Sequence, residues 1–126
     1  MHQRPGVVGL SVEAIGPNVR YLRLLAAAVA DDLGFDYEEV EDLRIAVNEL
    51  TFVLLDAGEP TGPLEVSIEG HDSTVTVRAG CAMRPTVEAV ETPQLMAKII
   101  EAVVDSFAVH VEADRGHFEL RKSRKP

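Results

Sequence analysis

Asp36-Tyr37-Glu38-Glu39-Val40-Glu41-Asp42-Leu43-Arg44-Ile45-Ala46-Val47-Asn48-Glu49-Leu50-Thr51-Phe52-Val53-Leu54 is the stretch on which the fold turns. Asp36 and Glu39 have capping-box spacing, in which each side chain satisfies the other's free backbone N–H at a helix start. Leu43, Val47, Leu50 and Leu54 then recur at the helical period and form one apolar stripe. Phe52 falls about opposite that stripe, flanked by Leu55 and Asn48. The helix is therefore buried on two sides or meets a partner. Upstream, Gly34 ends a first helix over 19–33, whose inner residues are Val19, Leu22, Ala26, Val29 and Leu33. Gly16-Pro17 separates that helix from a strand at 7–14. Downstream, Gly58, Pro60, Gly62 and Pro63 mark a loop. Strands at 64–69 and 74–78 follow, around the turn Gly70-His71-Asp72-Ser73. A loop with Pro85 and Pro93 leads to a third helix at 94–104. A last hairpin joins 107–113 to 118–121 around Asp114-Arg115-Gly116-His117. The order β-α-α-β-β-α-β-β predicts an α+β two-layer sandwich, with residues 1–126 as one domain.

Composition excludes several classes. Of 126 residues, 46% are hydrophobic and 26% charged, which suits a water-soluble globular domain. No apolar run has the length of a membrane span, and residues 1–6 lack the apolar core of a secretory leader. The single cysteine, Cys81, excludes an internal disulfide, and a reducing cytoplasm is the expected compartment. Twelve Lys+Arg stand against 21 Asp+Glu, for a net charge of −9. Arg121, Lys122, Arg124 and Lys125 belong to the tail, so the body before it carries −13. Such a body repels phosphate backbones and speaks against direct nucleic-acid binding. The tail itself reads as a solvated terminus.

Asp42-Leu43-Arg44-Ile45-Ala46-Val47-Asn48-Glu49 resembles the D-L-x-x-A-V-x-E segment of anti-sigma-factor serine kinases of the RsbW type. Those belong to the histidine-kinase-like ATPase (Bergerat) superfamily. Residues 17–23 look like that family's first helix, and 104–120 like its closing helix and hairpin. The resemblance implies a two-layer Bergerat sandwich with a mixed, mostly antiparallel sheet and three helices. It also implies three kinds of partner: a sigma factor, a STAS-type anti-anti-sigma protein and a second copy of the chain.

The same resemblance implies a nucleotide chemistry that this sequence does not carry. The family's magnesium-binding asparagine falls at Val53, whose side chain offers no oxygen ligand. Its adenine-binding aspartate falls at Ala79, with only Gly80 left of the glycine turn. Its phosphate-cradling glycine turn falls near Thr92-Pro93-Gln94-Leu95-Met96, in a span without glycine from Cys81 to Arg115. Backbone N–H groups approach phosphates closely where glycine removes the side chain. The expectation is a protein-binding regulator with no cofactor. Two other readings stay open: an active ATP-dependent serine kinase that uses ATP and magnesium, and a structural or dimerisation domain with no sigma partner.

Glu49 occupies the family's general-base position, about 100° from the centre of the apolar stripe. The ordinary alternative is a helix-surface glutamate. Arg20, Leu24, Ala27 and Asp31 share the outer face of the first helix, and an arginine beside a leucine suits an interface. Together with Phe52 and Leu55, Arg20, Leu24 and Asp31 are the candidate partner-binding residues. No metal site is expected. Pairing Ala113 with Phe118 sets His110 about 13 Å from His117 at ~3.3 Å per residue. Cys81 reads as a small buried hydrophobe, not a nucleophile.

Overall fold

The computed structural model of the chain describes residues 6–84, 92–112 and 114–126. Their order is β1 (Gly6–Val12), a 3-10 turn (Gly16–Asn18), α1 (Val19–Asp32), α2 (Tyr37–Ala57), β2 (Leu64–His71), β3 (Thr74–Ala82), α3 (Gln94–Val103), β4 (Ser106–Glu112) and β5 (Arg115–Ser123). The five strands form one sheet in the order β1-β2-β3-β5-β4. All four pairings are antiparallel, which corrects the expected mixed sheet. The crossover elements explain this. Each tight hairpin joins antiparallel neighbours, and the helical connections β1-to-β2 and β3-to-β4 do not place any strand beside a parallel one.

The capping box at the start of α2 is formed from both sides. Asp36 Oδ1 accepts the Glu39 N–H at 2.8 Å, and Glu39 Oε1 accepts the Asp36 N–H at 3.0 Å. Between α1 and α2 the chain turns on Gly34, at φ 81°, where glycine carries no penalty. There the Gly34 and Phe35 N–H groups bond Asp31 O and Ala30 O at 3.0 and 3.1 Å, closing a Schellman end. The loop Asp72-Ser73 joins β2 to β3 in two residues, shorter than the expected four. Asp72, at φ 54°, supplies the left-handed residue this needs.

All three helices lie on one side of the sheet. The α2 stripe of Leu43, Val47, Leu50 and Leu54 is fully buried, together with Ala46 and Thr51. It shares one core with Val66, Ile68, Val75, Val77, Phe118 and Leu120 from the sheet, and with Leu22 and Ala26 from α1. Alternation puts charge on the other face of the sheet. Arg78 pairs with Glu119 at 3.0 Å and Glu69 at 3.6 Å, Arg121 with Glu119 at 3.1 Å, and Arg115 with Glu65 at 3.1 Å. That face is a lattice of exposed ion pairs.

Arg121, Arg124 and Lys125 of the C-terminal tail are exposed, as expected of a solvated terminus, but Lys122 and the tail's backbone are tied down. Arg121 and Lys122 belong to β5. Lys122, 8% exposed, donates to Val103 O at 2.6 Å. The Lys125 N–H donates to Glu39 Oε2 at 2.6 Å, so the chain's end closes over the start of α2. The last hairpin is also in a different register from the expected one. Val109, not Ala113, lies opposite Phe118, and His110 lies directly opposite His117 with ring centroids 5.3 Å apart. The 13 Å separation is thus overturned. Even so, no group of three or more His, Cys, Asp or Glu is placed to hold a metal among the described residues. Among them, too, no helix is long and apolar enough to cross a membrane.

Candidate functional site

One side of α2 turns away from the sheet and carries Glu49, Phe52, Val53 and Asp56. The spacing i, i+3, i+4, i+7 stacks the four on one helical face. Together with Ala57 and with Pro93 and Met96 at the start of α3, they line a cavity of about 420 Å³. Two families of residue meet there. Phe52, Val53, Ala57, Pro93 and Met96 supply apolar wall, and Glu49 and Asp56 supply carboxylates. Among the described residues, no lysine or arginine lines it.

Glu49 is half-buried, as a boundary residue should be. Its Oε1 accepts a long bond of 3.3 Å from the Asn48 side-chain amide, and Asn48 Oδ1 in turn accepts from Arg23 on α1 at 2.6 Å. Glu49 also borders a shallower groove of about 230 Å³ between α1 and α2, formed with Arg23, Glu41, Arg44, Ile45 and Asn48. It stands on the ridge between the two depressions.

The candidate residues separate into three places. Glu49, Phe52 and Val53 meet in the cavity. Arg20, Leu24 and Asp31 are exposed on the outer side of α1. There the Arg20 guanidinium lies 4.8 Å from the Tyr21 ring centroid and donates to the Tyr21 hydroxyl at 2.7 Å. Leu24 is 55% exposed, a large apolar side chain without cover. Ala79 and Gly80 do not reach the cavity. Ala79 is buried on the core face of β3 opposite Phe118, and Gly80 lies on the opposite face, where a Cβ would come within 3.0 Å of Gly116 O. Phe52 is half-covered by the chain itself, since a Cβ added at Gly16 would lie 3.6 Å from its ring. Leu55 is half-buried and lines none of these depressions. Burial pushes the Cys81 thiol up, against a smaller lowering by Arg115, so it stays un-ionised at neutral pH. Sequence reading missed Asp56, and it reached Pro93 and Met96 only through the family resemblance, as part of the stretch 92–96 at the phosphate turn. Asp56 could have been found as the seventh residue after Glu49. Pro93 and Met96 reach the cavity only through the folded position of α3.

No protein-family model matches the chain, and no curated protein does. Among solved structures, it is similar to the crystal structure of the RsbU and RsbW domains of Rv1364c from Mycobacterium tuberculosis. The TM-score is 0.74 at 16% identity, over 95% of this chain and 33% of that one. The fold is RsbW-like. At that identity the likeness concerns the fold, and this chain spans about a third of the length of its structural neighbour.

Proposed function

We propose that this chain is a Bergerat-type, anti-sigma-factor-like regulator that acts by binding proteins and not by phosphorylating them. Its partners on this reading are a sigma factor, which it sequesters, and a STAS-type anti-anti-sigma protein, which displaces it; it works as a homodimer. The observation that carries the reading is the lining of the α2/α3 cavity. On the resemblance Val53 takes the place of the magnesium-binding asparagine; it lies between two carboxylates, and among the described residues no lysine or arginine lines the cavity to meet phosphates. The start of α3 adds Pro93, which has no N–H to offer and no side-chain cap. On this reading the cavity does not bind magnesium nucleotide. Sequestration needs only a complementary surface, and the exposed Arg20, Tyr21 and Leu24 on α1 offer one. The fold likeness to RsbU and RsbW domains is consistent with a partner-switching regulator.

A second reading, an active ATP-dependent serine kinase, is favoured by Glu49, which borders the cavity and which the resemblance assigns to the general base. Calorimetry decides between them. The proposed regulator gives no heat with ATP or ADP and magnesium up to millimolar concentration, whereas micromolar affinity would restore the kinase. In the same instrument, Arg20→Glu weakens binding to a sigma factor from the same genome at least tenfold, about 1.4 kcal/mol, while the fold is kept. Unchanged binding would move the contact surface off α1.

A further inference from the structure

We propose that the cavity between α2 and α3 is a binding site for an extended organic dication, of the linear α,ω-diamine class. Glu49 and Asp56 are seven residues apart on α2, so their carboxylates leave the same face two turns apart, about 10 Å along the axis. Between them lie Phe52 and Val53, with Met96 facing from α3, and these form an apolar strip. A carboxylate at each end of an apolar strip is the complement of an alkyl chain with an ammonium at each end. With eight bonds at about 1.2 Å each, 1,7-diaminoheptane spans about 10 Å between its nitrogens.

The carboxylates are available for this. Among the described residues, Asp56, which is exposed, has no hydrogen-bond or ion-pair partner, and Glu49 makes only the 3.3 Å bond from Asn48, through one of its two oxygens. Arg23, the nearest cation in that network, is turned to Asn48. Ammonium-to-carboxylate bonds are charge-assisted, and methylenes gain by leaving water for the strip. A monoamine satisfies one carboxylate, a shorter diamine cannot reach both, and an anion is repelled. The inference rests on the same cavity as the proposed function and shares with it only the absence of nucleotide. It requires no protein partner.

Calorimetric titration of the whole chain at low salt, with 1,7-diaminoheptane, 1,4-diaminobutane, 1-aminoheptane and 1-heptanol, tests the proposal. The expected result is saturable binding of the seven-carbon diamine, at least tenfold tighter than the four-carbon diamine or the monoamine. Asp56→Asn and Glu49→Gln each lower it to the monoamine level, while Glu101→Gln, which removes an exposed acid from the far part of α3, leaves it unchanged. Val53→Lys, which places a cation in the strip, abolishes it. Three results overturn the proposal: no saturation at ten millimolar, equal affinity for diamine and monoamine, or equal loss in Glu101→Gln and the cavity variants, which would mean general attraction to an acidic surface. Magnesium ADP is titrated separately. Heat from ADP sinks the nucleotide-free regulator, whereas the diamine proposal stands or falls on the diamine series.

Discussion

The two helices that wall the cavity are held in different ways. α2 has 21 residues, a reciprocal capping box, a fully buried stripe and the C-terminal strand and tail closing over its start. α3 has ten residues, a proline at its N-cap with no side-chain cap, and Ile100 as its only buried residue among those described. Leu95 is 74% exposed and Ile99 40%, so much of its apolar surface faces outward. One wall of the site is fixed by the core and the other rests on few contacts. Elements of the second kind open at lower free energy than the global unfolding of a domain. The shape of the site therefore depends chiefly on where α3 sits.

The largest expected effect comes from the fixed wall. Leu50→Ala removes a fully buried side chain at the centre of α2 and lowers stability by about 3 kcal/mol, as read by urea denaturation. A loss under about 1 kcal/mol would mean that the site collapses around the gap and that α2 is less rigidly held than its burial indicates. Ile100→Ala comes next, at about 2 kcal/mol, but with a different signature. Hydrogen exchange should quicken in α3 well before α2. Equal acceleration in both helices would break the comparison and make them one cooperative unit.

Most of the fixed wall was legible from residue spacing, because its signals are local. Asp36 and Glu39 marked the start of α2, and the leucine stripe marked its inner face. The register of the last hairpin was not legible. Moving Phe118 from opposite Ala113 to opposite Val109 shifts the pairing by four residues, and any even shift keeps every side chain on its own face. Alternation alone cannot separate the two. The tight turn does so, by bringing Glu112 opposite Arg115. The cavity was half legible for a similar reason. Glu49, Phe52 and Val53 follow from one helix, whereas Met96 reaches them through the tertiary placement of α3.

Two smaller effects sharpen the contrast. Glu39→Ala removes both the reciprocal cap bond and the acceptor for the Lys125 N–H, at a cost of about 1 to 2 kcal/mol in thermal unfolding. Glu39→Gln should recover only part of it, since its single amide oxygen can accept one of the two N–H groups and its NH2 faces the other. If the glutamine is as poor as the alanine, it is the charge near the helix N-terminus that matters. Leu95→Ser should change stability by less than about 0.5 kcal/mol, because the side chain is exposed. A larger loss would show Leu95 to be covered in solution, and α3 to be better held than its contacts here indicate.

The position of β5 has a consequence for the order in which the chain can fold. β5 is last in sequence but lies inside the sheet, between β3 and β4. Until residues 115–123 arrive, β3 has only β2 beside it, β4 has no strand to pair with, and the acceptor on Glu39 waits for Lys125. During synthesis the emerging chain can form α1, α2 and the β1-β2-β3 meander, but not a finished sheet. An interior strand is the last of the five to be made, and non-local pairings of this kind are the slow ones to close. A chain stopped before β5 exposes the flank of β3 as an open edge, a ready template for pairing with another chain.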